Sequence, residues 1–511
     1  MSYPRHYNAV TDLLDKNVDQ GRGNKTAFID QNGSVTYREL QSQSCRVANL
    51  LTQLGAKPES RVAVLMHDTV DWPAVFLGSI RAGIVPVAIN TLLGTDPYKY
   101  ILEDSRAQIL FVSAPLVDTI APIISSLPFL KQVIVAGDHV EDHMSLDSAL
   151  AEQPDTFETA ATCCDEVAFW LYSSGSTGTP KGVPHIQTGM METARHYGQG
   201  VLGIREDDTV FSAAKLFFAY GLGNGLSFPM SVGATTVLWT ARPTPQDMFD
   251  MLKHHQPTIF YGVPTLYAAM LAHPECGPAI SSKKLRLCVS AGEALPQEVG
   301  EKWRNLFGVD IIDGVGSTEM LHIFLSNCPG EVVYGTSGTA VPGYQLRLVD
   351  EQGDEVSGDQ IGELLVDGPS STPGYWNQRE KSRDTFEGRW TRTGDKYTRT
   401  SDARYIYCGR TDDMFKVSGQ WVSPFEVESA LVTHPAVLEA AVVGYEDNDG
   451  LTKPRAFVTL MPGESTDGIE EILKQQVKSA IGKWKYPREI KIVDELPKTA
   501  TGKIQRFKLR N

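Results

Sequence analysis

The fold class follows from residues 61–90, which read RVAVLMHDTVDWPAVFLGSIRAGIVPVAIN. Two apolar runs, 62–66 and 85–90, flank a stretch of helix length at 72–82. Strands that are apolar on both faces and alternate with helices are typical of a mostly parallel sheet covered on both sides. These residues therefore predict an α/β fold.

The same alternation continues beyond residue 90 and returns later in the chain. Helix-length residues 96–104 precede two further apolar runs, at 109–112 and 133–136. A second region has candidate strands at residues 235–238, 258–260, 285–289 and 309–312. Two α/β sub-regions are therefore predicted, although no clear sequence repeat relates them.

The character of the sequence changes after about Val341. Residues 343–353 and 362–368 have the short, turn-bounded pattern of antiparallel strands. After Gly409 we expect helices at 424–433 and 468–483 and strands at 439–444, 456–461 and 489–493. This α+β unit of about 100 residues is large enough to fold independently. We therefore predict an N-terminal domain (1–411) with two α/β sub-regions and a β-rich one, joined by a short polar hinge to a mobile C-terminal domain (412–511).

Composition excludes several functional classes. The 511 residues carry 47 basic and 62 acidic side chains, and the net charge of −15 disfavours binding to nucleic acid or an anionic membrane. No apolar run approaches the roughly 20 residues that span a bilayer, and residues 1–17 lack the basic start and apolar stretch of a signal peptide. The seven cysteines show neither disulfide-framework spacing nor a Cys-x-x-Cys metal pattern. We expect a cytoplasmic enzyme with reduced thiols.

Residues 172–183, YSSGSTGTPKGV, are the strongest functional signal. Their glycines allow the backbone to approach a polyanion, their hydroxyl side chains supply hydrogen bonds, and Lys181 supplies a positive charge. The hydroxyl residues are Ser174, Ser176, Thr177 and Thr179. The Walker spacing GxxxxGK[ST] is absent, because Gly178 is followed by Thr-Pro-Lys. A solvated turn between two strands is the alternative, but the length and the Pro-Lys-Gly ending favour a phosphate-binding loop.

This loop resembles the phosphate-binding signature of the adenylate-forming superfamily, which includes acyl-CoA synthetases, luciferases and the adenylation domains of peptide synthetases. Further motifs similar to those of the family follow in the expected order: SAGEALP at 290–296, DGVGSTE at 313–319, TGD at 393–395, GRTDDMFKVSG at 409–419 and PKTATGK at 497–503. Within the superfamily, FFAYGLGN at 217–224, GSTEMLHIF at 316–324 and KYPR at 485–488 look most like the benzoate–CoA ligase branch.

The resemblance implies a two-step reaction that uses ATP, Mg²⁺ and coenzyme A. A substrate carboxylate attacks the α-phosphate and expels pyrophosphate, and a thiol then displaces AMP. Because the first step brings two anions together, it needs positive charge to hold them in line. By resemblance, the nucleotide phosphates would be bound by Ser174, Ser176, Thr177 and Lys181. Thr318 would hold the α-phosphate and Glu319 the Mg²⁺; another interpretation of Glu319 is an acidic charge at the start of a helix.

The resemblance also assigns the nucleoside contacts. Adenine would be lined by Gly292, Glu293, Ala294, Asp313, Gly314 and Val315. Asp395 and Arg410 would contact the ribose. Val315 departs from the family pattern, because many relatives carry there a tyrosine that stacks on adenine, and valine offers only apolar contact. Asp313 either meets the adenine amine or is a turn residue at a strand end.

In the C-terminal domain, Lys503 would bridge the substrate carboxylate and the α-phosphate, as the family's catalytic lysine does. Asp412 matches the hinge about which the small domain rotates between the half-reactions. After rotation, the tunnel for coenzyme A would be lined by Ser418, Gly419, Gln420 and Trp421. Lys416 would act in the second step, or it is an exposed lysine at a strand end.

The acid pocket is assigned to aromatic and small residues, namely Phe218, Ala219, Tyr220, Gly262, Gly316, His322 and Ile323. Such a set predicts a short, flat, apolar slot that fits a benzoate better than a fatty chain, and Tyr220 or His322 could bond a ring substituent. We therefore expect an aryl–CoA ligase that uses ATP, Mg²⁺, coenzyme A and an aromatic carboxylate. The alternatives are a short- or medium-chain acyl–CoA synthetase, a stand-alone domain that loads a carrier protein, an inactive adenylate-binding scaffold and a phosphotransferase. The oligomeric state, including a homodimer, stays open.

Overall fold

The computed structural model describes residues 3–174, 179–278, 282–417, 420–447, 451–461, 463–482, 484–498 and 504–510. Its strands, in chain order, are β1 Thr26–Asp30, β2 Gly33–Thr36, β3 Arg61–Leu65, β4 Val85–Ala88, β5 Ile109–Ser113, β6 Gln132–Ala136, β7 Met144–Ser145, β8 Val167–Ser174, β9 Pro180–Ile186, β10 Thr209–Ser212, β11 Thr235–Val237, β12 Ile259–Gly262, β13 Leu287–Ala291, β14 Ile311–Gly316, β15 Ile323–Ser326, β16 Thr339–Ala340, β17 Gln345–Val349, β18 Gly362–Asp367, β19 Phe386–Glu387, β20 Trp390–Arg399, β21 Tyr405–Arg410, β22 Phe415–Val417, β23 Gln420–Val422, β24 Val437–Glu446, β25 Thr452–Leu460 and β26 Glu489–Ile492.

The α-helices are α1 Tyr37–Gln53, α2 Asp71–Arg81, α3 Thr95–Ser105, α4 Val117–Ile124, α5 Leu146–Ala151, α6 Gly189–Thr193, α7 Ala219–Leu222, α8 Phe228–Val232, α9 Pro245–His255, α10 Pro264–Ala272, α11 Gln297–Phe307, α12 Arg379–Thr385, α13 Pro424–Val432 and α14 Ile469–Ile481. Short π-helical turns cover Thr11–Asp15, Val18–Arg22, Ala194–Gln199 and Gly223–Ser227, and 3₁₀ turns cover Ala114–Leu116 and Arg506–Leu509. None of the helices in the described ranges has both the length and the apolar character needed to cross a bilayer.

The first large sheet has the strand order β7-β6-β5-β3-β4-β8-β9 within the described residues. Its neighbours are parallel except for β8 and β9, which form an antiparallel hairpin at one edge. Every residue of β4 and β5 is buried. The apolar runs of the first sub-region therefore form strands where they were predicted, because a sheet covered on both faces requires continuously apolar strands.

The second large sheet has the order β16-β15-β14-β13-β12-β10-β11-β1-β2 among the described strands. The run from β14 to β1 is parallel, and antiparallel strands lie at both edges. The strands predicted at 285–289 and 309–312 begin two residues later, and β14 continues through the glycine-rich residues 313–316. Glycine is required at 316, because a Cβ there would lie 2.5 Å from the backbone oxygen of His322.

The rest of the chain is antiparallel or mixed, as predicted. Strands β17, β18, β20, β19 and β21 form an antiparallel sheet. Farther along, α13 and α14 accompany a sheet of β24, β25 and β26. Buried side chains between Val417 and Ile490 form a hydrophobic cluster of their own. A separate C-terminal core of this kind favours an independent unit, while the boundary at residue 411 stays a prediction.

Helices α1 and α2 pack closely at Gly78. A Cβ at this position would lie 2.6 Å from the Cβ of Val47 and 2.7 Å from the backbone oxygen of Ser44. Gly78→Ala is therefore expected to destabilise the protein by about 1–3 kcal/mol, because overpacking outweighs the better helix propensity of alanine. Thermal unfolding measures the effect, with Gly277→Ala as the control, since a Cβ at 277 would have no atom within 4 Å. An unchanged melting temperature for Gly78→Ala would show that the two helices can move apart to accommodate the methyl group without loss of stability.

Candidate active site

A cavity of about 980 Å³ lies at the carboxyl ends of strands from both large sheets. Residues that follow β3 and β5 line it, among them His67, and so do residues that follow β13 and β14, among them Gly292 and Thr318. Because parallel strands point the same way, their loops collect at one edge, which is where open α/β sheets bind ligands. The cavity is therefore the candidate site.

The predicted phosphate loop, residues 172–183, takes in the end of β8 and the start of β9. The two strands pair as far as Ser174 and Pro180, and Lys181 pairs with Ser173. Ser173 lines the cavity, so the described end of β8 reaches the candidate site. Ser176 and Thr177, together with the side chain of Ser174, lie outside the described residues.

Lys181 and Glu319 lie close together, with Tyr375 between them. The Tyr375 hydroxyl donates a hydrogen bond to Glu319 Oε1 at 2.7 Å and accepts one from Lys181 Nζ at 3.1 Å, while Nζ and Oε1 are 3.7 Å apart. Burial lowers the pKa of Lys181, although the charge of Glu319 opposes this shift. Glu319 lies in the turn between β14 and β15, so it does not open a helix.

Sequence reasoning did not find Tyr375. The only local signal is the aromatic pair after Gly374, and such pairs belong more often to a core than to a site. The contacts of Tyr375 with Lys181 and Glu319 become known only from the tertiary structure, which places the β8–β9 hairpin and the β14–β15 turn beside it.

Glu319 fits the requirements of a Mg²⁺ ion that arrives with a nucleotide. Mg²⁺ keeps several waters and binds through one or two carboxylates together with substrate phosphates. The part of the chain that the structure describes has no group of three or more His, Cys, Asp or Glu side chains that could enclose a metal. A single carboxylate next to Thr318, which lies on the cavity wall, suits such an ion.

Asp395 and Arg410 form an ion pair across two antiparallel strands. They are register partners on β20 and β21, and Arg410 Nη1 lies 3.0 Å from Asp395 Oδ1. Arg410 also donates to the backbone oxygen of Thr393 at 3.0 Å. Gly394 has a left-handed φ of 71°, which glycine adopts without strain. The structure thus brings together the two residues predicted to bind ribose.

The residues predicted to contact adenine lie on β14 and after β13. Gly292 lines the cavity with a left-handed φ of 96°, while Glu293 and Ala294 are half-buried. Gly314 is buried, and Val315 packs against the neighbouring core.

Asp313 lies inside β14 rather than at a strand end, and it is 4% exposed. Its Oδ1 has no hydrogen-bond partner among the described residues, and burial raises its pKa well above the usual range. A buried carboxyl oxygen without a partner is costly unless a ligand pairs with it. This environment favours the adenine contact over the turn interpretation.

Nearly all of the predicted pocket residues lie on the cavity wall, namely Phe218, Ala219, Tyr220, Gly316, His322 and Ile323. Gly262 is not on the wall; it ends β12, and its carbonyl oxygen accepts a hydrogen bond from the Tyr220 hydroxyl at 3.2 Å. The same hydroxyl donates to the carbonyl oxygen of Val289 at 3.1 Å. Tyr220 therefore contributes its ring to the pocket, while its hydroxyl is already bound to the backbone.

His322 is a neutral part of the wall. Its Nε2 lies 3.2 Å from the carbonyl oxygen of Tyr220 and 3.2 Å from Asn224 Oδ1, and two acceptors there make Nε2 the protonated nitrogen. Burial lowers the pKa of His322 to about 3. Gly223 makes room for the ring, because a Cβ there would lie 2.3 Å from His322 Cδ2. The predicted pocket set is therefore aromatic, small and uncharged.

The C-terminal candidates are described only in part. Outside the described residues lie Lys503, Ser418 and Gly419, as well as the side chains of Gln420 and Trp421. Lys416 on β22 lies 3.9 Å from Glu351, in the turn after β17. The carbonyl oxygen of Asp412 accepts a hydrogen bond from Arg510 at 2.8 Å, and Arg510 also pairs with Asp413. These contacts hold the C-terminal 3₁₀ turn against the expected hinge.

Comparisons with known proteins cover almost the whole chain. A family model for "AMP-binding enzyme" matches residues 14–376, and one for "AMP-binding enzyme C-terminal domain" matches residues 426–503. The chain is 55% identical to a 4-hydroxybenzoate–CoA/benzoate–CoA ligase of Rhodopseudomonas palustris, covering 99% of this chain and 94% of that one. It is 56% identical to the benzoate–CoA ligase of Thauera aromatica, covering 99% and 96%.

A solved structure agrees with these matches. The anthranilate CoA ligase AuaEII, in complex with anthranoyl-AMP, is similar with a TM-score of 0.96 at 42% identity, covering 99% of this chain and 97% of that one. The predicted superfamily and branch are thereby confirmed. The chain belongs to the adenylate-forming AMP-binding enzymes and, within them, to the benzoate–CoA ligase branch of the AMP-forming acid–thiol ligases.

Proposed function

We propose that this enzyme converts benzoate, or a benzoate with a small uncharged substituent, to its coenzyme A thioester through an acyl-adenylate. The observation that carries the proposal is the uncharged wall of Phe218, Tyr220 and His322 in the same cavity as Thr318 and Gly292. Two relatives named above are ligases of benzoate, and the solved relative holds anthranoyl-AMP. An aromatic acid and a nucleotide would then react within one cavity.

In the first half-reaction, a carboxylate oxygen of the acid bonds to the α-phosphorus of ATP, and the bond from that phosphorus to pyrophosphate breaks. Lys181 balances charge on the departing phosphates, and Thr318 orients the α-phosphate. Mg²⁺, when held by Glu319, supplies further charge neutralisation of the phosphates. Asp395 and Arg410 hold the ribose. Lys503 stabilises the negative charge that develops between the carboxylate and the α-phosphate.

In the second half-reaction, the thiolate sulfur of coenzyme A bonds to the acyl carbon, and the bond from that carbon to AMP breaks. We assign residues 1–411 to the domain that binds ATP and the acid, and residues 412–511 to a lid that rotates about Asp412. The separate C-terminal core supports this division. Rotation would replace Lys503 at the site by Lys416 and the tunnel residues Ser418, Gly419, Gln420 and Trp421.

The products distinguish this function from its alternatives. Incubation with ATP, Mg²⁺ and benzoate should release AMP and pyrophosphate, and benzoyl-CoA should form only when coenzyme A is added. Release of ADP would indicate a phosphotransferase, and no nucleotide turnover would indicate a scaffold. Adenylation without transfer to coenzyme A would indicate a carrier-protein acceptor.

Lys503→Ala should lower the rate of adenylation by about 10²–10³-fold, because a preorganised donor to the reacting group is lost. The thioester step, started from synthetic benzoyl-adenylate and coenzyme A, should remain. Lys508→Ala is the matched control, since Lys508 is an exposed lysine of the same C-terminal segment. Equal loss of both half-reactions would make Lys503 structural.

Asp412→Pro should impair the second half-reaction and spare the first, which is the opposite of the effect expected for Lys503→Ala. Proline fixes φ near −65°, so a hinge that must change its backbone angles is restricted. Benzoyl-adenylate formation should survive, while benzoyl-CoA formation should fall steeply. Asp412→Ala, which leaves the backbone free, is the control. A lowered melting temperature with loss of both steps would contradict the hinge role.

Benzoate should be a better substrate than octanoate. In an open tunnel each additional methylene would gain about 0.8 kcal/mol of burial, but a closed slot makes the extra carbons overpack at a cost of about 1–3 kcal/mol. The kcat/KM values for adenylation of both acids measure this preference. Tyr220→Ala should reduce the difference in kcat/KM between the two acids, because it enlarges the pocket. Tyr220→Phe keeps the ring, so the difference should remain. If the wild-type enzyme adenylates octanoate with a kcat/KM equal to that for benzoate, the assignment of an aromatic acid as substrate is wrong.

A further inference from the structure

Residues 372–376 connect strand β9, which carries Lys181, to the β14–β15 turn, which carries Glu319. The backbone N–H of Thr372 donates to the carbonyl oxygen of Glu319 at 2.8 Å. Four residues later, the backbone N–H of Trp376 donates to the carbonyl oxygen of Gly182 at 3.0 Å. The segment is thus hydrogen-bonded at one end to the β14–β15 turn and at the other to the phosphate-loop hairpin.

Trp376 fixes this segment to the first sheet. Its ring lies 4.8 Å from that of Trp170 on β8, and its indole N–H donates to the carbonyl oxygen of Asp104 at 3.0 Å. The guanidinium groups of Arg61 and Arg106 lie 5.4 Å and 5.7 Å from its ring centroid. Aromatic packing and cation–π contacts on one indole hold the neighbouring residue in place.

That neighbour is Tyr375, whose side chain is held between the two charged groups. Its hydroxyl accepts from Lys181 and donates to Glu319, and Lys181 Nζ also lies 4.2 Å from the ring centroid. The 3.7 Å separation of Nζ and Oε1 is longer than a direct hydrogen bond. The charged groups are therefore linked through a neutral hydroxyl.

We propose that Tyr375 is a positioning residue that keeps Lys181 and Glu319 from closing into a directly hydrogen-bonded ion pair, so that both remain available to the phosphates and Mg²⁺ of an arriving nucleotide. The inference rests on the proposed function for the identity of the nucleotide. A direct ion pair in this largely buried place would have to be broken before either group could bind its new partner. The phenol satisfies both groups with one hydrogen bond each and holds them a short distance apart.

Tyr375→Phe tests the proposal, because it removes the hydroxyl and keeps the ring and its contact with Lys181. The dissociation constant of ATP with saturating Mg²⁺, measured by calorimetry without an acid substrate, should rise about tenfold, as expected for loss of a hydrogen bond to a charged group. In steady state the KM for ATP should rise more than kcat falls. Transfer from synthetic benzoyl-adenylate to coenzyme A should be unchanged.

Tyr334→Phe is a closely matched control. Tyr334 and Tyr375 are both 8% exposed, and the Tyr334 hydroxyl donates to Asp310 Oδ1 at 3.1 Å while Arg304 lies 4.7 Å from its ring centroid. Tyr334 therefore also lies beside a carboxylate and a cation, at the opposite end of β14, and its hydroxyl additionally accepts a hydrogen bond from the backbone N–H of Ile311 at 3.1 Å. This variant should bind ATP like the wild-type enzyme.

A double variant distinguishes a positioning role of Tyr375 from a nonspecific loss of structure. In a Lys181→Met background, the further change Tyr375→Phe should weaken ATP binding by much less than tenfold, because no ion pair is left to form. Unchanged ATP binding by Tyr375→Phe overturns the proposal, and so does equal weakening by Tyr375→Phe and Tyr334→Phe with parallel losses of melting temperature. If the wild-type enzyme itself binds no ATP, the proposed function fails and the inference falls with it.

Discussion

Parallel strands of the two large sheets end at one cavity, and this shared direction brings predicted site residues from distant parts of the chain together. His67 follows β3 of the first sheet, and Thr318 follows β14 of the second, yet both line the same space. The β8–β9 hairpin lies at the edge of the first sheet, and Ser173 near the end of β8 lines the same cavity. Because strand direction decides where each loop emerges, motifs far apart in the chain meet without long connecting segments.

Charge is distributed unevenly within this site. Lys181, Glu319, Asp395 and Arg410 are paired charged groups in the part assigned to the nucleotide. The pocket assigned to the acid carries instead a histidine that burial keeps neutral. The charged residues that line the same cavity, Lys215 and Arg242 among them, lie outside this predicted pocket set.

The contacts around the expected hinge are of a kind that suits a domain able to move. Lys416 and Glu351 are 48% and 61% exposed, and their side chains approach no closer than 3.9 Å. Exposed ion pairs of this type contribute little to stability, because water and salt screen them. The proposed rotation of the C-terminal domain would therefore break this contact at little cost in free energy. The C-terminal core itself is apolar and would travel as a unit.

The sequence by itself determined the regular elements and the family. The run at 133–136 became β6 at Gln132–Ala136, because burial on both faces of a strand leaves a continuous apolar run. The predicted helix 424–433 became α13 at Pro424–Val432, because burial on one face of a helix leaves a periodic pattern. The resemblance assigned both Asp395 and Arg410 to the ribose, while their ion pair was found only in the structure.

The tertiary structure alone decided which side chains face each other. Tyr375 bonds to residues 56 and 194 positions away, so no local pattern around Gly374 could identify its role. The Tyr220 hydroxyl could be recognised as backbone-bound, and Gly262 as lying off the cavity wall, only once β12 and β13 were placed beside the pocket. Local periodicity records whether a residue is buried, but the partner of a buried polar group is set by strands and turns that are distant in the chain.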